Sequence, residues 1–309
     1  MKTKTKILQG TTLVLLIASL VFLMVQNATL GDGEITQWWL LNYKSLVRIN
    51  IAFIVLALIS IWIQNTKNTK RLSIWRFPIM FIFIMYLGFT TGGCQCAVGY
   101  FQQAVLFLLG NERAIAVFVV FCVLLFLTYV YGKVWCGWIC PLGALQDYLY
   151  LGRFKKLKNA KIFQIFRTKT AQIVMRSIQI FAVVALVVLL VVKQMPWFCR
   201  YDPFRAIFSL SVHGTLMWIL VSLLIVSSML IYRPFCKSFC PMGFVLNWVS
   251  RIPGAHRIQI NDATCVRCKR CAKRCEMRSI ESRKLNYTCI HCGECLVTHC
   301  IIRHFIYFL

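Results

Sequence analysis

The sequence predicts an all-α membrane protein of about six transmembrane helices, with a duplicated two-span repeat and a small cysteine-rich α+β domain at its C-terminal end. Three observations predict it. The 309 residues are 59% hydrophobic and only 14% charged, with a mean hydropathy of +0.70, a composition suited to lipid. Apolar runs of bilayer length recur along the chain. A cysteine motif recurs at an offset of 100 residues.

Residues 1–70 read as an N-terminal transmembrane hairpin. A short basic leader precedes the apolar run Ile7 to Val25. We read this run as a retained span, because cleavage after Ala28 would put Gln26 where a signal peptidase site needs a small residue. The segment Gln26 to Lys44 carries Asp32, Glu34 and the pair Trp38-Trp39, suited to a membrane interface, and Leu46 to Ile63 is the second span.

Residues 71–155 form the first repeat. Phe77 to Thr91 is its first span, with Pro78 in the opening turn, where proline is tolerated. An outer loop with Cys94 and Cys96 leads to Ala97–Leu109, too short to cross and better suited to an interfacial or re-entrant helix. Ala114 to Tyr131 completes this repeat's pair of spans, with Cys122 expected as a small buried hydrophobe. Residues 156–250 repeat the plan: span Ile173 to Val192, an outer loop with Cys199, a short apolar helix, and span Leu216 to Tyr232.

Each repeat ends in C-x3-C-P-x-G, at Cys136, Cys140, Pro141 and Gly143 and again at Cys236, Cys240, Pro241 and Gly243. Duplicated hairpins pack about a pseudo-two-fold axis. Such an axis would bring the four motif cysteines together on one face, as ligands of a third iron–sulfur cluster or of zinc. It would also gather Cys94, Cys96 and Cys199 on the other face as an outer redox site.

Residues 251–309 hold eight of the sixteen cysteines in two runs, Cys265, Cys268, Cys271, Cys275 and Cys289, Cys292, Cys295, Cys300. Each opens with the C-x2-C-x2-C spacing that places three thiolates around a [4Fe-4S] cube, the fourth ligand coming from the other run. The expected sets are Cys265, Cys268, Cys271 and Cys300 for one cluster, and Cys289, Cys292, Cys295 and Cys275 for the other, in a ferredoxin-like domain.

The formal charge of +26 is sided. Of 35 Lys and Arg, 28 fall before the first span, between the second and third, from Lys133 to Lys169, and from Arg233 onward. The positive-inside rule then places both termini and the cysteine-rich tail in the cytoplasm of a multi-pass bacterial inner-membrane protein. Topology accounts for the charge, so nucleic acid is not expected as a partner. No expected span has an internal His, against a bis-histidine haem, and no Gly-rich phosphate loop or dinucleotide fingerprint is present.

Two C-x3-C-P motifs, CGWICP and CKSFCP, on four spans followed by a two-cluster tail resemble the NapH-type membrane ferredoxins of periplasmic nitrate reductase systems and the related core of NosR-type proteins. The resemblance covers Phe77 to Leu309. The chain departs from the family pattern where Glu276 follows Cys275 and where Cys300 comes after four intervening residues. The resemblance implies a quinol dehydrogenase component that moves electrons between the quinone pool and a redox partner, either a soluble iron–sulfur protein or a terminal reductase subunit, with membrane lipid around it. For quinone binding, the short outer helices offer Gln102, Gln103, Asp202, Arg205 and His213. Two alternatives stay open: an electron-donating maturation factor for a metalloenzyme, or an extracytoplasmic thiol or metal reductase using Cys94, Cys96 and Cys199.

Overall fold

The computed structural model describes residues 2–29, 34–65, 69–91, 97–111, 115–153, 165–166, 168–196, 202–210, 214–258, 268–281, 284–286 and 288–297. Helices α1 (Lys2–Thr29) and α2 (Glu34–Asn65) pair as a hairpin. The hairpin is tied to the end of α5 (Ile115–Tyr131): Tyr131 donates from its hydroxyl to the Gln9 carbonyl at 2.6 Å, and Ser60 donates to the Tyr131 carbonyl at 3.1 Å.

Helix α3 (Thr69–Phe83) starts well before the expected Phe77 and runs on through a π turn, Ile84–Gly88. Pro78 therefore lies inside the helix rather than in its first turn. The polar lead-in stays helical because its face is inward, with Leu72 and Arg76 both buried. Gly88 ends the π turn where an added Cβ would stand 2.7 Å from the Phe208 ring. The short helices expected after the outer loops are present as α4 (Ala97–Leu108) and, later in the chain, Pro203–Phe208, whose first turn is capped by Asp202.

After α5 the chain turns at Gly132 (φ +78°) into a single π turn, Trp135–Ile139, and Cys140 caps α6 (Pro141–Leu149). Helix α7 (Lys169–Lys193) follows, then α8 (Pro203–Phe208) and α9 (Thr215–Leu230). The second motif is built alike: Arg233 (φ +52°) opens α10 (Pro234–Ser238), and Cys240 caps α11 (Pro241–Val249). In both copies the motif proline takes the first helical position, where its missing N–H costs nothing, and each helix is nine residues long.

Two described segments, Ser45–Asn65 and Lys169–Lys193, are long and apolar enough to cross a bilayer. Ile7–Phe22, Leu72–Gly88, Val98–Leu108, Ile115–Tyr131 and Thr215–Leu230 are shorter apolar helices. Each of the six expected spans thus falls on helix, but only two of these segments reach crossing length. Cys122 is exposed on the outer face of α5, contrary to the buried position expected from its apolar surroundings.

In the tail, α12 (Arg270–Arg274) precedes a minimal antiparallel pair, β1 (Ile280–Glu281) and β2 (Lys284–Leu285), with Ile280 opposite Leu285. A 3-10 turn, Glu294–Val297, closes the described part. Cys271, Cys295 and Leu296 share one buried core with Trp135, Trp138 and Phe53. The tail is packed into the helical body.

Candidate metal centres

The two C-x3-C-P motifs are held face to face by reciprocal bonds. The basic residue before each motif reaches across to the residue eleven positions after the other motif's first cysteine: Arg233 Nη2 to Asp147 Oδ2 at 2.8 Å, and Lys133 Nζ to Asn247 Oδ1 at 2.5 Å. Gln146 extends the exchange, accepting from the Phe235 backbone N–H at 3.0 Å and donating to Cys236 Sγ at 3.5 Å. From α7, Gln179 donates to the carbonyls of Cys236 and Cys240. Residues 100 positions apart thus take matching roles.

Cys136, Cys140, Cys236 and Cys240 line one cavity of about 370 Å³. Six cations line it too (Lys133, Lys169, Arg176, Arg233, Lys237 and Arg278), and among the described residues no carboxylate does. Gly143 and Gly243 sit against the backbone of the same loops: an added Cβ would stand 3.2 Å from the Cys136 carbonyl oxygen and 3.3 Å from that of Cys236. Burial pushes the thiols of Cys136, Cys140 and Cys236 up to about 11, and Cys240 also well up. Uncompensated thiolates are therefore disfavoured here, and a metal would have to displace the protons.

The donor set fits an iron–sulfur cluster. Thiolates are the ligands such clusters take, and the cationic lining suits the negative charge of a thiolate-bound cube.

A second, much smaller cavity is lined by Cys275, Cys289, Cys292 and Cys295. The structure thus brings together the three cysteines of the second run and the fourth cysteine of the first, the exchanged set expected from spacing. Burial raises Cys289 to about 12, Cys292 to about 11, and Cys295 well up. The backbone N–H of Ser279 donates to Cys275 Sγ at 3.4 Å. Met277, Ile280 and Ile290 line both cavities, so the two cysteine sets share a wall.

The second run is seated on the first motif. Trp138 Nε1 donates to the His291 carbonyl at 3.1 Å, and the Lys133 backbone N–H donates to His291 Nδ1 at 3.2 Å. Burial, and then the nearby Lys133 ammonium, push His291 down to about 3, so its ring is neutral. Gly137 has no room for a side chain: an added Cβ would lie 2.3 Å from the Ile290 carbonyl oxygen. The equivalent position in the second motif is Lys237, whose ammonium lies 5.6 Å from the centre of the Tyr232 ring. Lys237 also donates to the Glu276 carbonyl at 3.5 Å, so the tail touches both repeats but presses its backbone closely only on the first.

Of the other expected ligands, Cys268 is exposed and Cys271 buried, while Cys265 and Cys300 lie outside the described residues, as do Cys94, Cys96, Cys199 and His213. Gln102 is fully buried on α4 and Gln103 partly so. Asp202 is buried and accepts from the Phe204 N–H at 3.0 Å, and Arg205 is exposed.

Sequence reasoning passed over a buried charge network. Asp147 accepts from Arg76, from Arg233 and, at 3.0 Å, from the Tyr232 hydroxyl. All three charged residues are at most 1% exposed. The available signal was the scarcity of acids: only nine Asp and Glu occur in the chain, and Asp147 stands alone after the first motif.

Two segments, residues 113–159 and 213–258, match a family model described as a 4Fe-4S binding domain, one on each motif. An uncharacterized protein of Methanocaldococcus jannaschii is 29% identical over 69% of this chain and 87% of its own length. A putative electron transport protein, YccM, of Escherichia coli is 24% identical over 53% of this chain and 47% of its own. The regulatory protein NosR of Pseudomonas aeruginosa is 25% identical over 54% of this chain and 23% of its own. No solved structure matches. The matches are thus to 4Fe-4S binding segments and to distant relatives that include a putative electron transport protein, and none singles out the NapH type.

Proposed function

We propose that this chain is a membrane-embedded electron-transfer protein with three [4Fe-4S] clusters, moving electrons between the quinone pool and a redox partner. The observation that carries the reading is that cysteines from two motifs 100 residues apart converge on one cation-lined cavity, which shares a wall with the second tail run. Cys136, Cys140, Cys236 and Cys240 would hold one cluster, Cys275, Cys289, Cys292 and Cys295 a second, and Cys265, Cys268, Cys271 and Cys300 the third. When bound, such clusters supply one-electron storage with thiolate ligation.

The chain's own residues prepare the sites. Cys140, Cys240 and Cys295 are buried and the other described ligands of these two sets partly so, and N–H groups that donate to Cys236, Cys240 and Cys275 stabilise sulfur charge. Lys133 lies near both Cys136 and Cys289, and burial pulls its ammonium down to about 8. Outward-facing apolar side chains support lipid contact: Phe181 is 76% exposed, Val192 68% and Leu223 64%. With the sided charge, they favour a multi-pass inner-membrane protein with a cytoplasmic tail. The quinol reading, and within it the NapH-type assignment, rests on the resemblance of the motifs.

The test is anaerobic mixing of the oxidised, detergent-purified protein with a quinol analogue, following loss of the iron–sulfur absorption. Reduction in the wild type that disappears in a Cys136→Ser/Cys236→Ser double variant supports the proposal. A wild type that stays oxidised removes the quinol reading. Unchanged reduction in the double variant removes the motif cysteines from it.

A further inference from the structure

The Arg76, Asp147 and Arg233 network lies between the two cysteine sets, and each arginine faces a different one. Arg233 Nη1 donates to the Cys136 carbonyl, within the first motif. Arg76 Nε donates to the Gly137 carbonyl at 3.2 Å, beneath the seat of Ile290. On its other side, Arg76 Nη1 stands 3.8 Å from Glu294 Oε1, in the second run between Cys292 and Cys295. Glu294 is anchored by Ser73 Oγ at 3.0 Å. Four separate pieces of chain thus meet here: α3, α6, the start of α10 and the tail.

The charges do not cancel at the centre. Two guanidinium groups share one carboxylate oxygen, and Glu294 sits at the edge with its side chain 22% exposed. Burying two arginines against one aspartate is a poor way to gain stability, since desolvation of charge offsets the attraction. A fixed cation beside a cluster, however, favours the reduced, more negative state, and does so more strongly where water is excluded. Arginine suits that task because it stays protonated.

We propose that Arg76 and Arg233, joined through Asp147, are positioning residues that place a fixed positive charge between the motif quartet and the second tail run and raise the reduction potentials of the clusters held there. The proposal rests on the reading that both cysteine sets hold clusters. Arg76 acts chiefly on the Cys275, Cys289, Cys292 and Cys295 site, and Arg233 chiefly on the quartet. Glu294 works against Arg76.

The experiment is a redox titration followed by EPR on anaerobically purified full-length protein, with iron content measured on every sample. Poised at the wild-type midpoint, Arg76→Gln should raise the oxidised-to-reduced ratio of the second-run cluster by about tenfold, equivalent to about 59 mV for one electron. Arg76→Lys, which keeps the charge, should restore most of that ratio. Arg233→Gln should produce its larger change in the quartet signal. Glu294→Gln should move the second-run cluster the opposite way, and decides the matter if Arg76→Gln does not fold. Unchanged midpoints in Arg76→Gln at wild-type iron content overturn the proposal, as do equal changes in Arg76→Gln and Arg76→Lys or no upward move in Glu294→Gln. Failure of the underlying reading looks different: the wild type itself then lacks a quartet signal.

Discussion

Replacing Gly137 with alanine tests directly how the tail meets the helical body. The added Cβ would stand 2.3 Å from the Ile290 carbonyl oxygen and 3.4 Å from the Cys292 nitrogen. Carbon and carbonyl oxygen normally approach no closer than about 3.3 Å, so one backbone must retreat by roughly 1 Å. Neither can do so cheaply. Gly137 lies in the π turn whose carbonyl accepts from buried Arg76, and Ile290 is next to His291, which is held by Trp138 and Lys133. Overpacking of this kind costs about 1–3 kcal/mol where side chains can adjust, and a contact between two backbones belongs at the upper end. Thermal unfolding should show a lower midpoint for Gly137→Ala, and EPR should show a disturbed second-run cluster with the first tail run unaffected. Lys237→Ala, at the equivalent position of the other repeat, removes a single 3.5 Å bond to the Glu276 carbonyl and should lower the midpoint by less than Gly137→Ala. A Gly137→Ala protein with wild-type melting and spectra would refute the docking.

Asp147→Ala leaves two buried guanidinium groups without their shared carboxylate, and loss of about 3–5 kcal/mol is expected in denaturant unfolding, against a much smaller loss for Asn247→Ala. Gln179→Leu removes donors to the Cys236 and Cys240 carbonyls and should cost about 1–3 kcal/mol, seen as a lower melting temperature. Iron-free protein should lose stability on the alkaline side. Its buried thiols are held up from an ordinary value near 9 to about 11 or 12. They favour the fold fully below pH 9, and that contribution fades as pH rises through the folded-state values. A flat melting temperature across that window, equal to that of a Cys136→Ser/Cys236→Ser control, would count against burial of these thiols.

The grouping of the cysteines was legible in the sequence because cluster spacing and motif duplication are local patterns. Two C-x2-C-x2-C runs and an offset of 100 residues needed no three-dimensional knowledge. The grouping of Cys275 with Cys289, Cys292 and Cys295 was accessible for the same reason, since the alternation follows from how two runs would wrap two cubes. Hydropathy gave the positions of the helices but not their lengths: α3 begins where buried Leu72 and Arg76 allow it, and α5 stops at the left-handed turn of Gly132. Cys122 faces outward because an apolar helix carries the same composition on both sides. The charge network and the seat of Ile290 on Gly137 were hidden because both join residues more than 60 positions apart. One asymmetry could have been read: the first motif has Gly137 where the second has Lys237, and a repeat rarely drops a side chain without something pressing on that spot.

The most direct test of the account is iron and acid-labile sulfide per chain, with EPR of the reduced protein, measured side by side for the wild type and for Cys136→Ser/Cys236→Ser. The account predicts about twelve irons in the wild type and about eight in the variant, at four per cluster, with one EPR signal lost and the tail signals retained. About eight irons in both, or zinc in place of iron at the quartet, would contradict it.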